Sequence, residues 1–129
     1  MEPALRRLAV ELGDRLSIEP VMGGLAREFG PPIEQISAWL EVADATGMPV
    51  DPRLWLASPP ASSYPASLAV KAAAEQGPGI EATYLRRLRE GFACARRKLD
   101  TRDALVAEAR AVHRGHAAGA DLLVEPVAT

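Results

Sequence analysis

The chain has 129 residues, of which 48% are hydrophobic but only 5% aromatic, so any core built from it relies on small side chains, alanine above all. That length suits one domain around one core, and folding buries somewhat under roughly 70% of the unfolded surface. A formal net charge of -2 excludes the basicity of a dedicated nucleic-acid binder, and the single cysteine, Cys94, excludes an intramolecular disulfide, a CxxC pair and a multi-cysteine zinc site.

Leu5, Leu8, Ala9 and Leu12 recur at helical spacing, with Pro3 near the first helical position and Gly13 as a stop, which predicts a short amphipathic helix over residues 3–12. The start of the chain has no apolar signal core, and no stretch approaches the about 18 apolar residues of a membrane span, so a cytoplasmic protein without a membrane partner is expected. Residues 15–22 alternate polar and apolar side chains and end at Gly23-Gly24; this is the predicted strand, with Pro20 marking an edge or an irregular finish.

Pro31-Pro32 opens the next helix, which carries Ile33, Ile36, Leu40 and Ala43 on one stripe with Trp39 beside it and stops at Gly47. Asp51 as N-cap and Pro52 at the first position start a short helical turn through Trp55 and Leu56. With its prolines and serines, the segment from Ala57 to Pro65 cannot be regular throughout. Beyond Pro65, Leu68, Ala69, Ala72 and Ala73 define an alanine-rich helix that breaks at Gly77-Pro78-Gly79.

Ile80, Tyr84, Leu88 and Phe92 then step by four along a helix expected to reach about Lys98. Asp100 or Thr101 caps a final helix with Leu105, Ala109 and Val112 on its apolar side. The tail from Gly115 is weakly patterned, and Asp121 to Val127 reads equally as a strand or as irregular chain. The whole is mainly α with an α+β remnant. One lone strand makes no sheet, so it must pair with a second copy, another chain or the tail.

Thiol–disulfide exchange needs an activated thiolate near a helix N-terminus and a second thiol to resolve the mixed disulfide. Cys94, the one candidate for such chemistry, lies late in its helix at Phe92-Ala93-Cys94-Ala95, where a buried structural cysteine is expected. His113 and His116 are three apart and could form half a metal site, but no third ligand is obvious, and solvated histidines at a helix end are the expectation. Gly23-Gly24 and Gly77-Pro78-Gly79 lack the spacing of a phosphate loop and read as turns. Between Glu81 and Arg114 nine Lys or Arg face five Asp or Glu, an excess expected of a solvated helix face. No cofactor is implied.

Three segments, in order, carry a family resemblance. The first is Glu2-Pro3-Ala4-Leu5-Arg6-Arg7-Leu8 with Gly13-Asp14-Arg15-Leu16 and Val21-Met22-Gly23-Gly24-Leu25. The second joins Trp39-Leu40 and Gly47-Met48-Pro49-Val50 to Pro59-Pro60-Ala61-Ser62-Ser63-Tyr64-Pro65-Ala66-Ser67. The third is Lys71-Ala72-Ala73-Ala74-Glu75-Gln76-Gly77 with Tyr84-Leu85-Arg86-Arg87-Leu88-Arg89-Glu90. Together, over about residues 2–112, they resemble the DsbA family of thioredoxin-like oxidoreductases, the third being similar to the helical insertion of its FrnE-like branch.

The resemblance implies one domain over 1–129: a partial thioredoxin-like core of one helix and one or two strands in 1–26, a DsbA-type helical domain of four to five helices in 31–114, and an irregular tail in 115–129. It also implies that the family's CxxC and first sheet strand would lie just before Met1, and that its cis-proline loop, a further helix and two strands are missing at the other end. Glu125-Pro126-Val127 is the only late X-Pro, and it comes too early to be that loop. Trp39, Trp55 and Tyr64 would border the cleft between insertion and core, either as a substrate or partner surface or as the largest core residues.

A binding or assembly module without dithiol chemistry is therefore expected. The alternatives are a fragment or subunit of a thiol–disulfide oxidoreductase and a protein like the family's ClpXP-adaptor branch. Leu5, Leu8, Leu16 and Ile18 would lie exposed on half a core, so a homodimer is expected, alongside a possible second protein partner.

Overall fold

The computed structural model describes residues 2–123 and is mainly helical. Its order is α1 (Glu2–Leu12), a 3-10 turn (Gly13–Arg15), α2 (Pro32–Thr46), α3 (Leu54–Ala57), α4 (Tyr64–Ala74), α5 (Pro78–Ala93) and α6 (Arg102–Leu123). The starts follow proline: Pro32, Pro65 and Pro78 occupy the first or second positions of α2, α4 and α5, where a missing N–H costs nothing. The stops follow glycine. Gly47 takes φ 68° after α2 with its N–H on the Ala43 carbonyl, and Gly77 takes φ 118° between α4 and α5.

The core lies where α4, α5 and α6 pack on one another, built from Val70 and Ala73, from Tyr84, Leu85 and Leu88, and from Leu99, Leu105 and Val112. Each large aliphatic side chain buried there contributes about 1.5–3 kcal/mol. The Tyr84 hydroxyl donates to the Leu105 carbonyl at 2.8 Å, which satisfies the one polar atom this ring carries into the core. Its pKa is raised, first by burial and then by the charge of Glu108. Leu68, expected on the inner face of α4, is 65% exposed instead, because the helix turns Val70 and Ala73 inward.

Several expectations change. The predicted strand at 15–22 is not formed: after the 3-10 turn Leu16 is extended, but residues 16–26 form no regular element, Gly24 takes φ 56°, and among the described residues no strand pairs with them. Helix α5 ends at Ala93, short of Lys98, because the chain folds back on itself there. Arg96 takes φ 53°, and the Arg97 N–H reaches the Gly91 carbonyl at 2.9 Å. A Cβ on Gly91 would sit 3.0 Å from Leu99 Cδ1, so the missing side chain is what lets the returning loop close.

The tail expected to be irregular from Gly115 continues as helix to Leu123, which also removes the strand reading for residues 121–123. The rest of that reading, and the X-Pro at 125–126, lie outside the described residues. Between the two proposed caps, Thr101 is the one that acts, its hydroxyl accepting the Ala104 N–H at 3.3 Å. Asp100 is drawn away to the Ala61 N–H at 2.7 Å.

Candidate functional site

Four aromatic rings that are distant in sequence meet at the centre of one face. Trp39 comes from α2, Trp55 from α3, Phe92 from α5, and Phe29 from the extended segment before α2. Ring centroids lie 5.4 Å apart for Trp39 and Trp55, 5.1 Å for Trp39 and Phe92, 5.9 Å for Trp55 and Phe92 and 5.1 Å for Phe29 and Trp55, all near edge-to-face. That geometry brings the electropositive edge of one ring to the face of the next. Trp55 is 1% exposed, so it anchors the cluster from inside and is no surface residue; its Nε1 has no hydrogen-bond partner.

Tyr64 stands apart from this cluster, although the sequence groups it with the two tryptophans. It opens α4, packs under Gly24, and carries the Arg27 guanidinium 5.8 Å from its ring centroid. Next to it, residues 26–29 are clipped to residues 61–63. The Ala26 N–H donates to Ser63 Oγ (3.1 Å), the Ser63 N–H donates to the Ala26 carbonyl (3.0 Å), and the Phe29 N–H donates to the Ala61 carbonyl (3.1 Å). This clip holds Phe29 against Trp55. It also walls a hollow of about 180 Å³ between the extended segment, α4 and α5, lined by Met22, Phe29, Val70, Leu88 and Phe92 with Arg89 at its edge. The lining is almost wholly apolar and the volume is that of one large side chain.

Arg89 also borders a second hollow of about 500 Å³ formed with Pro3, Arg6, Met48, Pro49 and Cys94. Cys94 is exposed, contrary to the buried role expected of it. The early end of α5 explains this, since Cys94 is the C-cap residue and its thiol donates to the Pro49 carbonyl at 3.4 Å. No second thiol is available to it anywhere in the chain.

The charged groups are arranged as clamps. Asp51 accepts the Arg53 guanidinium at 2.8 and 2.7 Å and the Arg53 N–H at 3.1 Å, and Arg96 lies 3.3 Å away. The Arg53 hydrogen bond is the main reason its pKa falls from 3.8 to about 2. Its own N–H donates to the Ala93 carbonyl at 2.6 Å, which pins α3 to the end of α5. Glu108 is buried on α6 and bridges Arg87 on α5 and Arg97 in the following loop, the latter at 2.6 Å.

His113 and His116 are both exposed on α6, with His116 Nδ1 3.3 Å from the Val112 carbonyl. Among the described residues no three metal-ligating side chains come together. Likewise no described helix is long and apolar enough to cross a membrane. Phe29 and the Arg87–Glu108–Arg97 bridge escape a reading of the sequence. The signal for Phe29 lies in the inventory, since two Trp, two Tyr and two Phe are all the aromatics there are.

A ClpXP adapter protein, SpxH, of Halalkalibacterium halodurans is 33% identical over 115 residues, covering 81% of this chain and 38% of that protein. The SpxH of Shouchella clausii, also named a ClpXP adapter protein, is 31% identical over 122 residues, covering 86% of this chain and 38% of that protein. The chain thus spans less than half the length of these relatives. A family model described as thioredoxin matches residues 1–116, which takes in α1 to α5 and most of α6, so the chain belongs to the thioredoxin family.

Proposed function

We propose that this chain is a protein-binding module of the ClpXP-adapter kind, working in the cytoplasm without dithiol redox chemistry of its own. The observation that carries the reading is the likeness to two proteins named as ClpXP adapters across more than four-fifths of the chain. One cysteine cannot both attack a disulfide and resolve the product, which favours binding over catalysis. The apolar hollow beside the four-ring cluster has the size and lining of a seat for one side chain of a partner. Self-association into a homodimer belongs to the same reading, as does descent from a DsbA-like, FrnE-type ancestor.

The test is binding of purified chain to immobilised ClpX and to assembled ClpXP, with an insulin-reduction assay on wild type and Cys94→Ser. Saturable binding at micromolar concentrations, weakened at least tenfold by Ala66→Trp in the hollow, is expected, with no insulin reduction by either form. Absence of binding to ClpX and ClpXP overturns the adapter reading. A second reading, a subunit of a thiol–disulfide oxidoreductase, rests on the exposure of Cys94 within a thioredoxin-family chain. Insulin reduction that disappears in Cys94→Ser would establish it.

A further inference from the structure

The clip between residues 26–29 and 61–63 has two ends, and they are supported differently. At one end Ser63, the N-cap residue of α4, holds Ala26, so that end stands on a helix. At the other end the Phe29 N–H rests on the Ala61 carbonyl, and Ala61 lies in a loop with few bonds of its own. Pro59 and Pro60 have no N–H to donate, and the Ser58 N–H turns back to the Leu54 carbonyl at 2.9 Å. Among the described residues, the one hydrogen bond that ties residues 59–61 to the α4–α6 body is donated by the Ala61 N–H to Asp100 Oδ2, at 2.7 Å, in the loop between α5 and α6.

We propose that Asp100 is the positioning residue of the apolar hollow beside the aromatic rings. Its carboxylate fixes Ala61, the Ala61 carbonyl fixes the Phe29 N–H, and Pro60 and Phe29 are two of the hollow's walls. The support is rigid at its root. Asp100 follows Leu99, a core residue 6% exposed that lines the same hollow, so the packing of the helices sets where the carboxylate stands. It is also a strong support, because a charged acceptor binds an N–H more tightly than a carbonyl does.

The needs of α6 do not account for this side chain. Thr101 caps that helix, and the second carboxylate oxygen, Asp100 Oδ1, is buried without a hydrogen-bond partner among the described residues. An acid held at the cost of an unpaired buried oxygen calls for a local purpose, and its bond to Ala61, 39 residues away in sequence, supplies one. This inference rests on the hollow being a seat for a partner's side chain, as proposed above, and adds which residue sets its shape.

The experiment compares wild type, Asp100→Ala and Asp100→Asn as full chains, by NMR contacts between side chains and by binding to immobilised ClpX. In Asp100→Ala the contact between the Phe29 and Trp55 rings, whose centroids lie 5.1 Å apart, should weaken. The contacts of Trp39 with Phe92 and of Tyr84 with Leu105 should stay, since neither passes through Ala61. Asp100→Asn keeps an acceptor for the Ala61 N–H and should keep all three. ClpX binding should fall about tenfold in Asp100→Ala, but by no more than about twofold where Ala66→Trp already fills the hollow. An unchanged contact between Phe29 and Trp55 in Asp100→Ala overturns the inference. So does loss of all three contacts together, which makes Asp100 a general support of the fold, and so does an equal loss in Asp100→Asn. Binding that is unchanged, or that falls equally with and without Ala66→Trp, overturns the link to the seat. If wild type does not bind ClpX, the adapter reading falls, and the ring contacts still decide what Asp100 does.

Discussion

Asp51 closes a ring of contacts between three parts of the chain: its carboxylate holds Arg53 and Arg96, and its N–H holds the Ala93 carbonyl. Because the folded protein favours the ionised form, with the pKa lowered from 3.8 to about 2, the stabilisation is fully present above 3.8 and is lost as pH falls toward about 2. Asp51→Asn should therefore melt below wild type at about pH 6, and the gap should close through that acid window; a gap independent of pH would show that the carboxylate charge is not what matters. The sequence makes Asp51 the N-cap of a helix starting at Pro52; in the structure α3 starts at Leu54 with Arg53 as its N-cap, and Asp51 accepts the Arg53 N–H in the turn before it while adding Arg96 and Ala93, partners that no nearby spacing announces. Cys94 shows the same limit from the other side. A helix continuing to Lys98 implies a buried Cys94, and the fold-back at Gly91 that exposes it depends on Leu99 and on Arg97 returning from the loop.

At the scale of elements, legibility followed the breakers. Pro32, Pro65, Pro78, Gly47 and Gly77 act locally, through missing N–H groups and positive φ, and the helices they bound appear near the expected places. The alternation at 15–22 is followed by burial at Leu16, Pro20 and Met22 but not at Ile18, which is exposed, and a strand needs a ladder, which is a property of two segments. Orientation was harder to read than existence. On α4 an alanine stripe gives little contrast between faces, so the pattern points Leu68 inward whereas Val70 holds that position. The joint between α5 and α6 depends on Glu108, whose carboxylate serves Arg87 and Arg97 from a side chain only 11% exposed. Glu108→Ala leaves two cations facing each other, and with both arginines about 40–45% exposed the loss should be about 1–2 kcal/mol in urea unfolding. A loss below about 0.5 kcal/mol would mean that the bridge contributes no more than an ordinary surface pair.

Over the whole molecule, buried and exposed apolar side chains are divided between two regions. The buried hydrophobic residues lie on α4, α5, α6 and their loops, apart from Leu54 and Trp55 on α3, whereas α1, residues 16–26 and the outer stripe of α2 leave Leu8, Val21, Leu25, Ile33 and Leu40 exposed. Under the proposed function this exposed apolar surface is where a partner would sit. The division predicts opposite consequences for two leucines of the same chemistry. Leu88→Ala empties a site between α4 and α5 that is 5% exposed and should cost about 2–5 kcal/mol, lowering the urea midpoint irrespective of protein concentration. Leu8→Ala removes a side chain that is 43% exposed and should change the stability of an isolated subunit by less than about 0.5 kcal/mol, while weakening association. Unfolding both variants across a hundredfold range of protein concentration separates the two effects. If Leu8→Ala destabilises as much as Leu88→Ala at the lowest concentration, α1 is part of the folding core, and the apolar surface it carries is not reserved for a partner.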